Sequence, residues 1–390
     1  MVGALSLKRR RDMKEQRGQF IAVFVTIVLG VMMFGASYDA YENLTISYAG
    51  TYERLAFADA TVIGQGAALS DALRAVDGVG TVVTREQADV PLKVGGDVLV
   101  GRVVSVPAGE QPGVDQLDVV AGGYPGAGAG AAALVETHMA DHFSLSHGDS
   151  VSVLTPVGWR DVRLTGVAVS AEYLWPARSN QEFFESPGSF GVLFVTPDVL
   201  GEVDQTQVVP QTLVLYDAGA DRAAVDAEVR RVALANGASG VVLQADQPSN
   251  KGLSLDVTGF KQMSIFFPLM FLFAAGLAAY ALLTRVVYSQ RSVIGTLRAN
   301  GFDRGTVLRH YLSYGLWLGL AGSLVGVALA LPAGWEITAA YTSELGIPDT
   351  IRELRWVTPV VGIAFGVIVG LLSAWVPARA AVRLSPAEAI

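Results

Sequence analysis

Residues 262–284 read QMSIFFPLMFLFAAGLAAYALLT, a run bounded by Lys261 and Arg285 with no Asp, Glu, Lys or Arg inside it. About 20 apolar residues, each rising about 1.5 Å as a helix, cross the hydrocarbon of a bilayer. Three more runs share this property: Gly18 to Tyr38, Tyr311 to Trp335 and Trp356 to Ala378. Only 16% of the 390 residues are charged, against roughly 25% in soluble domains, and these four runs account for the deficit. The expected fold is an α-helical membrane protein with four transmembrane helices, one plus three, and a large extracytoplasmic α/β domain inserted between helices 1 and 2. Intrinsic disorder and nucleic-acid binding both need abundant charge, so neither is a first reading. The absence of cysteine excludes a disulfide framework, iron-sulfur clusters and thiol catalysis.

Outward from the runs, the basic residues orient the chain. Lys8, Arg9, Arg10, Arg11, Lys14 and Arg17 precede the first run, Arg285, Arg291, Arg298, Arg304 and Arg309 lie between the second and third, and Arg379 and Arg383 follow the fourth. Lys and Arg mark cytoplasmic segments, so both termini are placed inside, in a multi-pass protein of a bacterial inner or plasma membrane. The segments are then 1–17 cytoplasmic, 18–38 helix 1, 39–261 extracytoplasmic and 262–284 helix 2. They continue as 285–310 cytoplasmic, 311–335 helix 3, 336–355 an extracytoplasmic loop, 356–378 helix 4 and 379–390 a cytoplasmic tail. The first run also resembles a secretory signal, but its apolar core exceeds the 7–15 residues of a signal h-region, roughly counted, and retention is favoured. Residues 1–17 read equally as an amphipathic helix on the inner leaflet or as a frayed basic tail.

Within 39–261 two portions read as strand–helix–strand. Ala60 to Ile63 precedes a helical pattern with Leu69, Leu73 and Val76, then Val79 to Val83; Thr212 to Tyr216 precedes a helix from Asp221 to Leu234, then Gly240 to Gln244. Asp221 suits an N-cap and Gly237 a stop. Between them, a β-rich subdomain at about 107–188 is expected as an insertion, with a short helix from Ala132 to Phe143 and strands at Ser150 to Leu154 and Val162 to Val169.

Candidates for chemistry are few. Gly126, Gly128 and Gly130 have the spacing of a nucleotide loop, but no strand is expected to lead into them and no Gly-Lys-Ser/Thr occurs anywhere, so they read as a flexible loop. No cofactor or ATP site is expected on this chain. His138 and His142 are four apart with His147 nearby, a spacing able to present two imidazoles to a metal; without a His-Glu-x-x-His arrangement a solvated helix face is preferred. No metal and no catalytic residue is assigned, and an anchored ectoenzyme has only this histidine pair behind it. The charge-free helices lack the ionisable relays of ion-coupled carriers, so energy for any transport must come from a partner.

The helices instead carry small residues at helical spacing. Gly362, Gly366, Gly370 and Ala374 recur every four residues on helix 4, as do Gly315 with Gly319 and Gly322 with Gly326 on helix 3. Such faces let backbones approach closely, either within the subunit or at a dimer interface. Pro268 is expected to kink helix 2. The segment from Ser289, SQRSVIGTLRANGFDRGTVLRHYL, reads as a short helix with Val293, Ile294 and Leu297 on one side and a break at Asn300-Gly301. It suits either docking into a groove of a cytoplasmic partner or lying on lipid.

Arg291, Ile294-Gly295, Leu297-Arg298-Ala299 and Gly301 resemble the R-x-x-I-G-x-L-R-A-x-G coupling segment of FtsX/MacB-like ABC transporter permeases. The tail Pro377-Ala378-Arg379-Ala380-Ala381-Val382-Arg383-Leu384-Ser385-Pro386-Ala387-Glu388-Ala389 is similar to the closing signature of that family. Ala133 to Val153 is similar to its periplasmic core domain, which marks 39–261 as MacB-like. Two positions depart: Val293 stands where Glu is usual and Asn300 where Leu is usual, so docking geometry or partner choice is expected to differ. The chain stops at Ile390 just after the signature; a complete four-helix subunit and the first half of a longer permease both stay open.

The resemblance implies a non-catalytic permease subunit coupled to a cytoplasmic ABC ATP-binding subunit that holds the ATP, with Arg291, Val293, Ile294, Gly295, Leu297, Arg298 and Gly301 as the ATPase-coupling residues. It implies a homodimer or pairing with a second permease half, contact with membrane lipid, no nucleic acid, and an external domain acting on a lipid, lipoprotein, peptide or drug-like substrate, with or without an external partner protein. The alternative is a regulatory FtsX-like protein that activates an external cell-wall hydrolase or senses a peptide.

Overall fold

The computed structural model describes residues 2–182 and 188–383, and the closing signature from Leu384 onward lies outside them. The chain divides into two units. One comprises Met1–Thr45, Val257–Ala340 and Ile351–Ile390; the other comprises Ile46–Asp256 and Tyr341–Thr350.

The first unit is helical. Helix α1 (Val2–Glu15) is followed after Gln16 by α2 (Arg17–Arg54). Among the described residues four helices are long and apolar enough to cross a membrane, α2 and three C-terminal ones. Each contains one of the charge-free runs, but three extend well beyond it. An α-helix satisfies its backbone internally and needs no lipid to persist, so charged residues end the apolar span without ending the helix. Asp39, expected in the external domain, consequently sits inside α2 and is buried.

The second unit is α/β. Its elements begin with β1 (Ala60–Ile63), α3 (Ala67–Arg74), β2 (Val79–Val94), β3 (Asp97–Ser105), β4 (Leu117–Gly122), β5 (Ala132–Glu136) and α4 (Thr137–Phe143). They continue with β6 (Ser150–Thr155), β7 (Gly158–Ser170), β8 (Phe190–Val195), α5 (Pro197–Glu202), β9 (Val208–Tyr216), α6 (Arg222–Ala235) and β10 (Gly240–Leu243). The ten strands among the described residues join one sheet in the order β10-β1-β9-β2-β3-β8-β5-β7-β4, with β6 bridging β2 and β7. The two strand–helix–strand portions fall at the β10-β1-β9 end. There Leu69 and Leu73 of α3 and Val225, Val229 and Ala233 of α6 bury against Val62, Val82 and Val214. The Asp221 carboxylate accepts the Ala224 N–H, as an N-cap does, and Gly237 takes the left-handed φ of +86° that a helix stop favours.

The 107–188 stretch does not form a separate subdomain. Its strands β5, β6 and β7 close a ring with β8, β3 and β2, because β6 pairs with both β2 and β7. Leu92, Val103, Val135, Val151, Val153, Val162, Leu164 and Leu193 fill the interior. Gly101 is required there, since a Cβ would collide with the Leu92 side chain opposite. The helix expected from Ala132 begins instead at Thr137. Ala132–Glu136 is strand β5, buried along its whole length between β7 and β8; Glu136 caps the helix, its carboxylate accepting the His138 and Met139 N–H groups.

The chain returns to the first unit through α7 (Pro248–Ser289), then α8 (Arg291–Ala299), α9 (Arg304–Glu344) and α10 (Val357–Arg383). Helix α7 is unbroken with Pro268 inside it.

Candidate functional site

The segment that the sequence singles out is α8, a nine-residue helix between two long apolar ones. Gly301 ends it with φ +87°, a conformation that costs glycine little. Asp303 then starts α9, its carboxylate accepting the N–H of Gly305 at 3.0 Å and of Thr306 at 3.3 Å. Hydrogen bonds from the Thr306 hydroxyl and these amides hold Asp303 below the usual carboxylate range.

The two sides of α8 differ. Ile294 is fully buried, clustered with Val286, Val287, Val307, Tyr311, Ala378 and Ala381, and Gly295 is buried beside it. Leu297 and Arg298 are half-buried, and the Arg298 guanidinium donates to the Val382 carbonyl at 2.9 Å, tying α8 to the end of α10. Arg291, Ser292, Val293, Thr296, Ala299 and Asn300 are exposed. Val293 and Ile294 therefore do not share a docking side: Ile294 anchors the helix, and Val293 with Thr296 and Asn300 faces outward. Adjacent apolar residues on a helix diverge by about 100°, and composition does not say which of two is buried.

Sequence reasoning missed what holds α1. Its Lys8 ammonium donates to Asp12 at 2.6 Å and to Gln290 at 2.5 Å, Tyr314 donates to the same Asp12 oxygen at 2.5 Å, and Tyr311 donates to Gln290 at 3.1 Å. Arg9 donates to Ser313 at 2.9 Å and lies over the Trp317 ring. Burying Asp12 is costly without such partners, so residues 2–15 are a docked helix rather than a frayed tail. The one available signal was the pairing of buried-side Lys8 and Asp12 four residues apart. On the other side Leu7, Arg10, Arg11 and Lys14 are exposed.

The small-residue faces meet within the chain. Gly362, Gly366, Gly370 and Ala374 are all buried. A Cβ on Gly315 would strike the Gly370 carbonyl, one on Gly319 the Gly366 carbonyl, and one on Gly366 the Ser323 Cβ at 2.8 Å. Further along the same stripe of α9, a Cβ on Gly322 or Gly326 would strike Ile27 or Val31 of α2 at 2.8 Å. The α10 stripe is thus a contact between α10 and α9, and that stripe is not free for a dimer.

In the α/β unit the three histidines are used separately. His138 Nδ1 lies 2.7 Å from Glu136, His147 Nδ1 lies 2.8 Å from the Thr165 carbonyl, and His142 stacks edge-on against Phe143. The glycine-rich loop at Gly126, Gly128 and Gly130 follows strand β4, contrary to expectation, but runs into strand β5 rather than the helix a phosphate loop requires.

Four membrane-length helices among the described residues mark a multi-span membrane protein. Residues 265–386 match the family model of the FtsX-like permease C-terminal domain. Over 149 residues, 38% of this chain, it is 28% identical to a pyoverdine export ATP-binding/permease protein, PvdT, of Pseudomonas putida, covering 20% of that protein. Over 140 residues, 33% of this chain, it is 27% identical to an uncharacterized ABC transporter permease of Methanocaldococcus jannaschii, covering 35% of it. The matched stretches thus span about a fifth to a third of these relatives. Among solved structures, the extracellular domain of the noncanonic ABC-type transporter YknZ from Gram-positive bacteria aligns with 46% of this chain and 93% of its own at 16% identity and TM-score 0.31. The periplasmic region of MacB from Actinobacillus actinomycetemcomitans aligns with 50% and 91% at 10% identity and TM-score 0.31.

Proposed function

We propose that the chain is the non-catalytic permease subunit of an ABC-type complex, receiving the stroke of a separate ATP-binding subunit at α8. The two-sided burial of α8 carries this reading: Ile294 locks the helix to the bundle while Val293, Thr296 and Asn300 are offered outward. A helix so anchored converts pressure on its outer side into movement of the helices beneath it. Helices α2, α7 and α9 have 38, 42 and 41 residues, roughly 57–63 Å each against a hydrocarbon core of about 30 Å, so each is a stiff rod running past the membrane. The absence of any Gly-Lys-Ser/Thr sequence in the chain supports ATP being held elsewhere. The family departures Val293 and Asn300 both lie on the outward side, which supports partner choice as their role.

The driven domain is extracytoplasmic in this reading, and it acts on a lipid, lipoprotein, peptide or drug-like substrate. A cleft of about 270 Å³ between Phe34, Tyr38, Pro268, Leu272 and Phe365 offers apolar groups a place among the helices. A regulatory role toward an external cell-wall hydrolase would use the same stroke; substrate movement in reconstituted vesicles without an external partner excludes it. The docking assignment is tested by co-purifying the permease with its ATP-binding subunit. Val293→Asp is expected to lower complex recovery at least about tenfold, or about 1.4 kcal/mol, with unchanged thermal stability of the permease. Ile294→Asp, by burying a charge, is expected to destabilise the permease itself. Full recovery of the complex with both Val293→Asp and Thr296→Asp would sink the assignment.

A further inference from the structure

The α/β unit holds a cavity of about 310 Å³ that no role described above uses. Its floor is the sheet, with Val104, Phe194 and Leu213, each buried, projecting from β3, β8 and β9. Its other wall is the stretch from Val106 to Asp115, which includes Pro107 and Pro112. That stretch is held off the sheet by its own anchors. The Asp115 and Gln116 N–H groups donate to the Ala56 and Leu55 carbonyls, the Gln111 amide bonds both the N–H and the carbonyl of Leu117, and Tyr124 donates to the Pro107 carbonyl at 2.9 Å. The cavity is therefore preformed, as small-molecule sites generally are.

Arg85 and Asp115 close its polar end. The Arg85 guanidinium is engaged through all three nitrogens: Nη2 donates to both Glu172 oxygens at 2.8 Å, Nη1 to Asp115 at 3.1 Å and Nε to Gln211 at 2.8 Å. The Asp115 carboxylate otherwise accepts the Ala58 N–H at 2.8 Å. The neighbouring Arg102 is engaged by Asp89 at 2.7 Å. Two buried carboxyl groups thus share one cation, leaving acceptor capacity beside an apolar hollow. Burial pushes the Asp115 carboxyl up to about 7, against the opposing pull of Arg85, and a second cation would restore its charge.

We infer that this cavity binds a small amphipathic amine, its apolar body against Val104, Phe194 and Leu213 and its ammonium on the Asp115 carboxylate. At about 310 Å³ the hollow lies at the small end of small-molecule pockets, roughly 300–1,000 Å³. The assignment does not depend on the permease reading, because it uses no group of the helical unit.

The test uses the full chain in lipid nanodiscs and three water-soluble probes of one shape: 2-phenylethylamine, 2-phenylethanol and 3-phenylpropionate, titrated to millimolar concentration by saturation-transfer NMR. The amine is expected to bind at least about tenfold more tightly than the carboxylate, with the alcohol between. Pro197→Trp, at an exposed lining position at the start of α5, is expected to abolish binding of all three by filling the cavity. Asp115→Asn is expected to remove the preference for the amine while keeping the alcohol; if that variant fails to fold, the Pro197→Trp result and the probe order decide. Equal binding of amine and carboxylate, amine binding unaffected by Pro197→Trp, or no binding by any probe overturns the inference.

Discussion

At the residue scale, the buried ionisable groups of the α/β unit set a pH dependence whose sign is fixed. Burial raises Asp115 to about 7 and raises Asp59 above its ordinary value. Burial pulls His138 down, but the hydrogen bond and charge of Glu136 outweigh it and His138 ends above its ordinary value. A carboxyl whose folded pKa exceeds its unfolded one binds the extra proton in the native state, so stability falls as pH rises from about 4 to about 7 through Asp115. The raised His138 contributes stability below its unfolded pKa that is lost as pH rises through its folded one, which is the same direction. Acidification from pH 8 to 5.5 is therefore expected to raise the melting temperature of this unit by a few degrees, at about 2–4 °C per kcal/mol. The check is scanning calorimetry of the protein at several pH values. Asp115→Asn is expected to flatten the slope, and a melting temperature that falls on acidification would refute the assignment.

At the element scale, the contact of α9 with α10 depends on hydrogen atoms where other residues carry side chains. Gly370→Val would push a branched side chain into the Gly315 backbone, which cannot rotate away as a side chain would. Overpacking a close contact costs about 1–3 kcal/mol, and the upper end is expected here; Ile368→Val, on the exposed side of the same helix, is expected to change little. Fluorescence-detected melting in detergent compares the two, and equal melting temperatures would mean that the glycine stripe is not a packing surface. The sequence made this stripe legible because a four-residue period reports a helix face directly. It made β1, β9, α6 and β10 legible for a similar reason: each is a local pattern with its own cap or turn. Strand β5 was not legible, since Ala132 and Ala133 favour helices and only pairing with β7 and β8 overrides them. The closed ring was hidden for the same cause, as β3 meets β8 across some 90 residues of chain. At the candidate site, the identity of α8 could be read but not its anchoring side, because Ile294 is chosen over Val293 by Tyr311 and Ala378, far along the chain.

At the scale of the whole molecule, the net charge of −8 conceals a polarity. Residues 1–17, 285–310 and 379–390 carry thirteen Lys and Arg against Asp12, Glu15, Asp303 and Glu388, while the rest of the chain carries fifteen against thirty-two Asp and Glu. Because one apolar helix, α7, lies between the α/β unit and α8, these two must face opposite sides of the membrane if α7 crosses it. On the positive-inside tendency α8 is expected in the cytoplasm and the acidic α/β unit outside. The chain has no cysteine, so single cysteines report position without background. Ala127→Cys in the glycine-rich loop and Ser292→Cys on α8 both fall at exposed positions. A membrane-impermeant maleimide applied to spheroplasts is expected to label Ala127→Cys at once and Ser292→Cys only after the membrane is opened. Labelling of both without opening would mean that α7 does not cross the membrane, and the reverse order would mean that the basic segments face outward, leaving α8 on the wrong side to meet an ATP-binding subunit.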